Sequence, residues 1–286
     1  MQIKRGLVLE GGAMRGMFTA GVIDVLMENN IKFDGAVGVS AGAVFGCNYK
    51  SGQIGRAIRY NKAYCRNWQY CSIRSLITTG DLFGVDFCYN ELPFKLDPFD
   101  TKSYQKNPMK FYVVATDVMK GLPVYQRCDT GESYDLEWYR ASASMPLVSR
   151  IVEIGEHKLL DGGIVDPIPL KFFESIGYTK NLVILTQPAD YIKTPSKALG
   201  LLNIALGKYP ALITAMKNRH KIYNAQIKYV NECESKKAAL VIRPPKALPI
   251  GRIERNPHNL QKTYEIGRAT AKKLLSDIKE FLCSKQ

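Results

Sequence analysis

Two short apolar runs, each followed by a glycine-containing turn and a helical pattern, open the chain and most constrain its fold. The first, "RGLVL", ends at Leu9 and precedes "MFTAGVIDVLMENN", which predicts a helix stopping at Asn29 and Asn30. The second, "GAVGV", precedes "AGAVFGCNYKSG", which predicts a helix ending near Gly52. A strand–helix–strand unit makes its strands parallel through a right-handed crossover. The opening therefore predicts an α/β fold around a parallel sheet.

The rest of the chain adds further elements without internal repeats. For residues 53–110 the sequence predicts helices and loops that lie outside the sheet and form a cap over a cleft. The remaining predicted elements are a strand at 110–118 with its partner at 122–127, a helix at 138–146 that runs into a turn at Pro146, a hairpin or paired strands at 150–163, strands at 181–188 and 239–245, and one long amphipathic helix at 259–282. The simplest organisation is one domain over residues 1–286, with a core at about 5–190 and a basic part at 190–286 packed on it.

Basic residues are concentrated in the last third of the chain. The net charge is +14, and residues 190–286 hold 19 Lys and Arg against 7 Asp and Glu. A basic face attracts anionic membranes or nucleic acid. A merely solvated basic surface has the same composition, so charge alone leaves both interpretations open.

Cysteine usage and hydropathy indicate the compartment. The seven cysteines form no CxxC pair, which disfavours zinc and thioredoxin-type sites and favours free thiols in a reducing environment. The N-terminal apolar run is too short for a signal-peptide core, and no stretch approaches the ~18 apolar residues of a spanning helix. We therefore expect a soluble, cytoplasmic protein that makes peripheral contact with the inner membrane face.

The stretch "AVGVSAGAV" places Ser40 between Gly38 and Gly42 directly after the second predicted strand. A strand–turn–helix context with G-x-S-x-G is the nucleophile elbow, which holds a serine hydroxyl out of the backbone. The alternative is structural, since small residues are common where a strand meets a turn. The context favours a nucleophile, with the Ala41 N–H as a donor to an oxyanion.

The glycine turn "LEGGAMRG" follows the first strand and opens the first helix. The N–H groups of Gly11 and Gly12 are suited to an anion there, although a turn needed only for packing is an equally simple explanation. The spacing from Gly11 to Gly16 also approximates a dinucleotide fingerprint. That fingerprint also needs an acidic residue at the end of the second strand to bind the ribose, but Asp34 lies before that strand. The sequence therefore disfavours a nucleotide-binding site.

A nucleophilic serine needs a base. His157, His220 and His258 lie in a paired-strand region and in basic, solvated segments, so surface or packing roles are expected for them. "KLLDGGIVDPIP" instead places Asp161 at a strand end before two glycines, where a carboxylate can approach Ser40 closely. Asp161 as a simple turn residue is the alternative, and nearby Asp166 reads as a turn former between prolines.

These stretches, in this order, resemble the patatin-like phospholipase family. Its members carry a glycine-rich segment with a basic residue, then G-x-S-x-G, then D-G-[GA], and "ASASMP" at 141–146 resembles a further family element. The resemblance covers roughly residues 5–190 and is closest to stand-alone bacterial members. Glu10 stands where many members have Asp, and Ala13 replaces the third glycine of the oxyanion segment.

The resemblance implies a three-layer α/β/α fold with a mostly parallel sheet and a Ser–Asp dyad that needs no histidine, metal or cofactor. Ser40 would form an acyl-enzyme with a lipid ester, and Asp161 would act as the base. The backbone of 11–13, together with Ala41, would hold the oxyanion, and Arg15 would support that loop or attract a phosphate. The implied activity is that of a phospholipase A or lysophospholipase.

Two other functions fit the same residues. An acyltransferase would use the same dyad with another acceptor. A non-enzymatic protein that binds anionic lipid or nucleic acid would use the basic last third, but all residues needed for catalysis are present, so we expect no nucleic-acid partner. The apolar segment 198–216 would form an apolar surface, a cleft wall or a core helix.

Overall fold

A central mixed sheet organises the structure, which is a computed structural model that describes residues 3–284. Within those residues the sheet has eight strands in the hydrogen-bonded order β5-β6-β3-β2-β1-β7-β8, with β4 also paired to β3. The strands are β1 (Arg5–Leu9), β2 (Gly35–Val39), β3 (Lys110–Asp117), β4 (Leu122–Arg127), β5 (Val152–Ile154), β6 (His157–Asp161), β7 (Lys180–Ile184) and β8 (Ala239–Ile242). The run β3-β2-β1-β7-β8 is parallel, whereas β4, β5 and β6 pair antiparallel.

Helices surround this sheet and connect its strands. They are α1 (Gly16–Glu28), α2 (Ala41–Ser51), α3 (Arg56–Tyr64), α4 (Ile73–Thr79), α5 (Thr101–Lys106), α6 (Ser133–Ala143), α7 (Leu170–Ser175), α8 (Leu199–Leu206), α9 (Pro210–Ser235), α10 (Pro257–Lys273) and α11 (Leu275–Cys283). A π-helical segment occupies Phe87–Leu96. Over residues 3–284, no helix combines the length and apolar character needed to cross a bilayer.

Successive side chains along each strand point to opposite faces of the sheet and pack in two separate hydrophobic cores. Leu7 and Phe111 pack on one face with residues from α1, α2, α6, α10 and α11. Val8 and Val183 point to the opposite face, where α7 and α9 cover them. Because both faces are buried, the parallel strands are rich in apolar residues on both faces instead of alternating between apolar and polar. The predicted three-layer α/β/α fold with a mostly parallel sheet is confirmed.

Two helix predictions need correction. The helix predicted within 138–146 begins earlier, at Ser133; it ends at Ala143, before the turn predicted at Pro146. The single helix predicted at 259–282 is two helices that meet at Leu274, whose ψ of 4° leaves the helical range. The break turns α11 so that Ile278 and Leu282 join the core under the sheet. The apolar spacing continues across the break, and for this reason the sequence pattern suggested one helix.

Residues 53–109 lie outside the sheet, as predicted, and contain α3, α4, the π-helical segment and α5, whereas Lys110 begins β3. Their apolar side chains form a separate core with Met14 and Met17 of the first strand–helix turn and with Phe45 of α2. The segment therefore builds a wall beside the carboxyl ends of β1 and β2.

The C-terminal region is packed on α1 by direct backbone contact. A Cβ atom on Gly21 would lie 2.1 Å from the carbonyl oxygen of Tyr264, and one on Gly267 would lie 2.1 Å from that of Phe18. The Tyr264 hydroxyl donates to Asp24 at 2.6 Å, and burial raises the pKa of that carboxyl to about 6. Helix α10 thus supports the helix that follows the first glycine turn. The single domain at 1–286 stays a prediction, and residues 1, 2, 285 and 286 lie outside the described residues.

Candidate active site

Ser40 lies at the sharp turn between β2 and α2 with φ of 54° and ψ of −122°. A positive φ is rarely adopted by a residue with a side chain. The flanking glycines are required by space, because a Cβ on Gly38 would lie 2.5 Å from the Gly42 carbonyl oxygen, and one on Gly42 would lie 2.4 Å from that of Leu9. The G-x-S-x-G stretch therefore has the strand–turn–helix geometry of an elbow.

The sheet brings Asp161 to Ser40. Strand β4 occupies one edge of β3, so β2 and β6 share the other: Val39 pairs with Val114, and Asp161 pairs with the next residue, Ala115. Strands β2 and β6 run in opposite directions and meet end to end. The Ser40 Oγ donates to Asp161 Oδ2 at 2.8 Å, and both residues are buried.

The backbone around Asp161 fixes its carboxylate. Its Oδ1 accepts the Gly163 N–H at 2.7 Å, and its own carbonyl accepts the Thr116 hydroxyl at 2.8 Å. A Cβ on Gly162 would lie 2.2 Å from the Val114 carbonyl oxygen, so a larger residue has no room there. At the D-G-G stretch the backbone packs closely against β3, so these residues do not form a solvated turn.

Burial raises the pKa of Asp161 above its ordinary value, while Arg219 and the hydrogen bonds from Ser40 and Gly163 oppose that rise. Desolvation of a carboxylate favours its protonated form. Asp161 is therefore a stronger base than a solvated aspartate and is in direct contact with the serine hydroxyl.

Ser142 holds the backbone of the elbow, although the sequence analysis assigned no role to it. The Ser40 N–H donates to Ser142 Oγ at 2.8 Å, and that hydroxyl donates to the Val114 carbonyl at 2.6 Å. Ser142 thereby links the elbow to β3. The "ASASMP" element was the available signal, but a hydrogen bond between residues 102 positions apart leaves no local pattern.

The first glycine turn lies directly beside Ser40. A Cβ on Gly11 would lie 3.0 Å from the Ser40 Cβ, and one on Gly12 would lie 2.7 Å from Thr186 Oγ1. Ala13 takes a φ of 49°, so the third position has the left-handed backbone that glycine favours. Within residues 3–284, the N–H groups of Gly11, Gly12, Ala13 and Ala41 have no hydrogen-bond acceptor. These donors are available to an anion.

Glu10 connects this turn to the other side of the sheet. Its carboxylate accepts the Thr186 N–H at 2.5 Å and the Tyr223 hydroxyl at 2.9 Å, and burial raises its pKa. The longer side chain that replaces the common aspartate thus reaches the loop after β7 and helix α9. Arg15 lines the same cleft, and among the described residues its buried Nε has no acceptor.

The other candidate bases do not contact Ser40. His157 Nδ1 lies 3.3 Å from an Asp117 oxygen, and His220 and His258 lie on α9 and at the start of α10. The Asp166 carboxylate accepts hydrogen bonds from the side chains of Tyr125 and Gln226, at 2.7 and 2.6 Å, so it is more than the turn former expected from the flanking prolines.

Two branches of one cleft meet at Ser40. The apolar branch, about 110 Å³, is walled in part by residues 53–110, and the rest of its lining comes from the first glycine turn, α2, α6 and Met145. Its lining includes Phe45, Tyr60, Tyr70, Phe83, Cys88, Leu92 and Phe99. The charged branch, about 310 Å³, includes Glu10, Arg15, Asp161, Lys193, Arg219 and Arg252. Ala13 and Met145 line both. Across the described range, no three His, Cys, Asp or Glu side chains group as metal ligands, and all seven cysteines are free thiols.

The fold and this cleft define a class of α/β protein with a serine elbow and an aspartate at opposing strand ends. A family model for patatin-like phospholipase matches residues 7–173, which include all three stretches. The chain therefore belongs to the patatin-like phospholipase family, a family of lipid hydrolases. A second model, for a domain of unknown function, matches residues 209–283.

Similar proteins extend the comparison. The chain is 27% identical to the uncharacterized protein YjjU of Escherichia coli over 98% of this chain and 79% of that protein. It is 29% identical to the lysophospholipase nte1 of Aspergillus oryzae over 60% of this chain, but that match spans only 11% of the fungal protein. The solved structure of VipD from Legionella pneumophila superposes with a TM-score of 0.48 at 14% identity, covering 96% of this chain and 67% of VipD.

Proposed function

We propose that the protein hydrolyses lipid esters of the phospholipase A or lysophospholipase type, with Ser40 as nucleophile and Asp161 as base. The observation that carries this proposal is the 2.8 Å hydrogen bond from Ser40 Oγ to Asp161 Oδ2, buried where the two cleft branches meet. The family membership and the fungal lysophospholipase relatives support the substrate class.

In the first half-reaction, the Ser40 Oγ attacks the ester carbonyl carbon while its proton passes to Asp161 Oδ2. The oxyanion forms beside the free N–H groups of residues 11–13 and Ala41. Its collapse breaks the bond to the leaving oxygen, which takes the proton back from Asp161. An alcohol departs, and the acyl group remains on Ser40.

In the second half-reaction, Asp161 removes a proton from water, which attacks the acyl carbonyl. The same N–H groups hold the second oxyanion. The bond to Ser40 breaks, the serine oxygen regains its proton, and the fatty acid leaves. The apolar branch, walled in part by residues 53–110, is the natural site for the acyl chain.

The test compares wild type, Ser40→Ala and Asp161→Asn on a p-nitrophenyl ester and a lysophospholipid. Loss of one member of a nucleophile–base pair is expected to lower kcat by about 10³-fold or more. His258→Ala, exposed at the start of α10, is the control and should retain activity. Mass spectrometry should find an acyl adduct on Ser40 in wild type. Equal activity of Ser40→Ala and wild type would overturn the proposal, and transfer of the acyl group to an added alcohol in preference to water would identify an acyltransferase.

We also propose that the cleft mouth docks on an anionic lipid surface. Leu201 and Ile204 are 57% and 85% exposed on α8, the helix whose Leu202 lines the charged branch. Ile253, also at the cleft, is 50% exposed. Apolar side chains beside a basic region are suited to anionic interfaces.

Vesicle sedimentation tests this docking. Phosphatidylglycerol vesicles should bind the protein more tightly than phosphatidylcholine vesicles. The double change Leu201→Gln and Ile204→Gln should weaken binding by about 10-fold or more, since each buried side chain is worth about 1.5 kcal/mol or more. Ile3→Gln, before the first strand, is the matched control. Equal binding of the double variant and the wild type to phosphatidylglycerol vesicles would refute the proposed docking surface.

A further inference from the structure

We propose that Lys193, Arg219 and Arg252 form a binding site for the phosphate of the substrate's head group in the charged branch of the cleft. The inference rests on the proposed hydrolysis at Ser40 and adds the substrate class. All three residues lie beyond the 7–173 match to the family model. Arg219 and Arg252 lie within the domain of unknown function at 209–283, which thereby gains a role.

The cations of this branch form no direct ion pair with a carboxylate of the described residues: Lys193, Arg219 and Arg252 have none within 4 Å. Two carboxylates line the same branch, Glu10 and Asp161. Both are engaged by hydrogen bonds from elsewhere, and burial raises the pKa of each.

Each cation is positioned by a contact of its own. Arg219 Nε donates to the Gly163 carbonyl at 2.7 Å, which leaves its terminal nitrogens without a partner in the described residues and beside the Asp161 loop. Lys193 is attached to α9 by two hydrogen bonds between its main chain and the Asn224 side chain, at 2.9 and 3.0 Å. Its Nζ lies 4.5 Å from the centre of the Tyr223 ring.

Arg252 lines the cleft from the loop between β8 and α10. Its carbonyl accepts the Met14 N–H at 3.3 Å, which fixes this loop to the first glycine turn. The three cations are close enough to interact: burial, followed by Arg219 and Arg252, lowers the pKa of Lys193 to about 8. A site that holds three cations together, none of them in direct contact with a carboxylate, is suited to bind an anion.

The position and chemistry of the site point to a phosphate. The branch ends at Ser40, so its anion lies next to the ester under attack, as the phosphate does in a glycerophospholipid. Guanidinium groups bind phosphate oxygens with paired N–H donors, and an ammonium adds a point charge. With the acyl chain in the apolar branch, the expected substrate is a phosphate-bearing glycerol ester.

The kinetic test uses two substrates with the same acyl chain, lysophosphatidic acid and monoacylglycerol. Wild type should prefer the first. Arg252→Gln and Lys193→Gln should each lower the ratio of kcat/KM for the two substrates by about 10-fold or more, the worth of a hydrogen bond to a charged group. Lys228→Gln removes an equal charge from the exposed side of α9 and is the control. A wild type without preference, or variants that leave the ratio unchanged, would overturn the site.

A binding test separates this proposal from the catalytic one. Calorimetry should detect glycerol 3-phosphate binding to Ser40→Ala, and Arg252→Gln in that background should weaken it by about 10-fold or more. Binding with these properties upholds the site even when no ester is hydrolysed, and the catalytic proposal alone fails. If the wild type hydrolyses esters but Ser40→Ala does not bind glycerol 3-phosphate in this way, the phosphate site is refuted and the catalytic proposal stands. Equal binding of inorganic sulfate and glycerol 3-phosphate would reduce it to a nonspecific anion site and overturn the substrate class.

Discussion

Replacing Ser40 by glycine is expected to give a more stable protein than replacing it by alanine. The φ of 54° and ψ of −122° at Ser40 lie in a sparsely populated region that costs a residue with a Cβ about 1–3 kcal/mol. Glycine adopts positive φ without that cost. Both variants lose the hydroxyl, so Asp161 loses the same hydrogen bond in both. Their difference therefore isolates the backbone strain at the elbow.

The magnitude follows from two opposing effects. Relief of strain favours glycine by about 1–3 kcal/mol, and the greater freedom of glycine in the unfolded chain opposes it by about 0.5–1 kcal/mol. The net advantage of Ser40→Gly is about 1 kcal/mol. For a chain of this size, that difference corresponds to a rise in Tm of roughly 2–4 °C.

Urea and thermal unfolding of the two variants measure this difference. Ala225 provides the matched control, because it is exposed in the middle of α9 and has ordinary helical surroundings. There, Ala225→Gly should lower the free energy of unfolding by about 1 kcal/mol, the opposite sign. If Ser40→Gly is also less stable than Ser40→Ala, the backbone at Ser40 is not strained and the reasoning is wrong.

Further predictions concern the neighbouring groups. Ser142→Ala leaves the buried Ser40 N–H without its acceptor and should cost about 1–3 kcal/mol and lower kcat, whereas Ser144→Ala, whose hydroxyl donates only within its own helical turn, should change unfolding midpoints by much less. Because burial raises the pKa of Asp161 above 3.8, kcat should rise with pH as this carboxyl deprotonates, and Asp161→Asn should remove that limb of the profile. Because of the same raised pKa, the folded protein binds the Asp161 proton more tightly than the unfolded chain does. The contribution of Asp161 to the free energy of unfolding should therefore fall as the pH rises above 3.8. Denaturation of Asp161→Asn at a series of pH values should lack this fall. With the pKa of Lys193 lowered to about 8, KM for a phosphate-bearing substrate should rise as pH passes 8, and a flat KM between pH 7 and 9 would contradict its role.

The sequence could predict the features that depend on neighbouring residues. The elbow at Ser40 and the glycine turn at 11–12 each occupy fewer than ten consecutive residues, and the first strand and helix follow each other directly in the chain. Such motifs can be recognised in a sequence because positions such as Gly38 and Gly42 have no room for a larger side chain. Asp161 was found for the same reason, through the two glycines that follow it.

Features that depend on distant pairing could not be predicted in this way. The end-to-end meeting of β2 and β6 along one edge of β3 joins segments 121 residues apart at Ser40 and Asp161. Lys193, Arg219 and Arg252 appeared in the sequence only as part of a basic excess, because no short pattern marks residues that converge from separate loops and helices. The break at Leu274 was hidden because the apolar spacing runs through it.

The position of β1 has a consequence for folding during synthesis. Strand β1 is hydrogen-bonded on one edge to β2, the next strand made, and on the other to β7, where Leu7 lies opposite Leu182. At typical rates, a ribosome needs roughly 10–35 s to make the residues between them. Through that interval one edge of the central strand has unpaired N–H and C=O groups, which attract other strands. The middle of the sheet is therefore completed late, and the nascent chain needs protection from aggregation until β7 emerges.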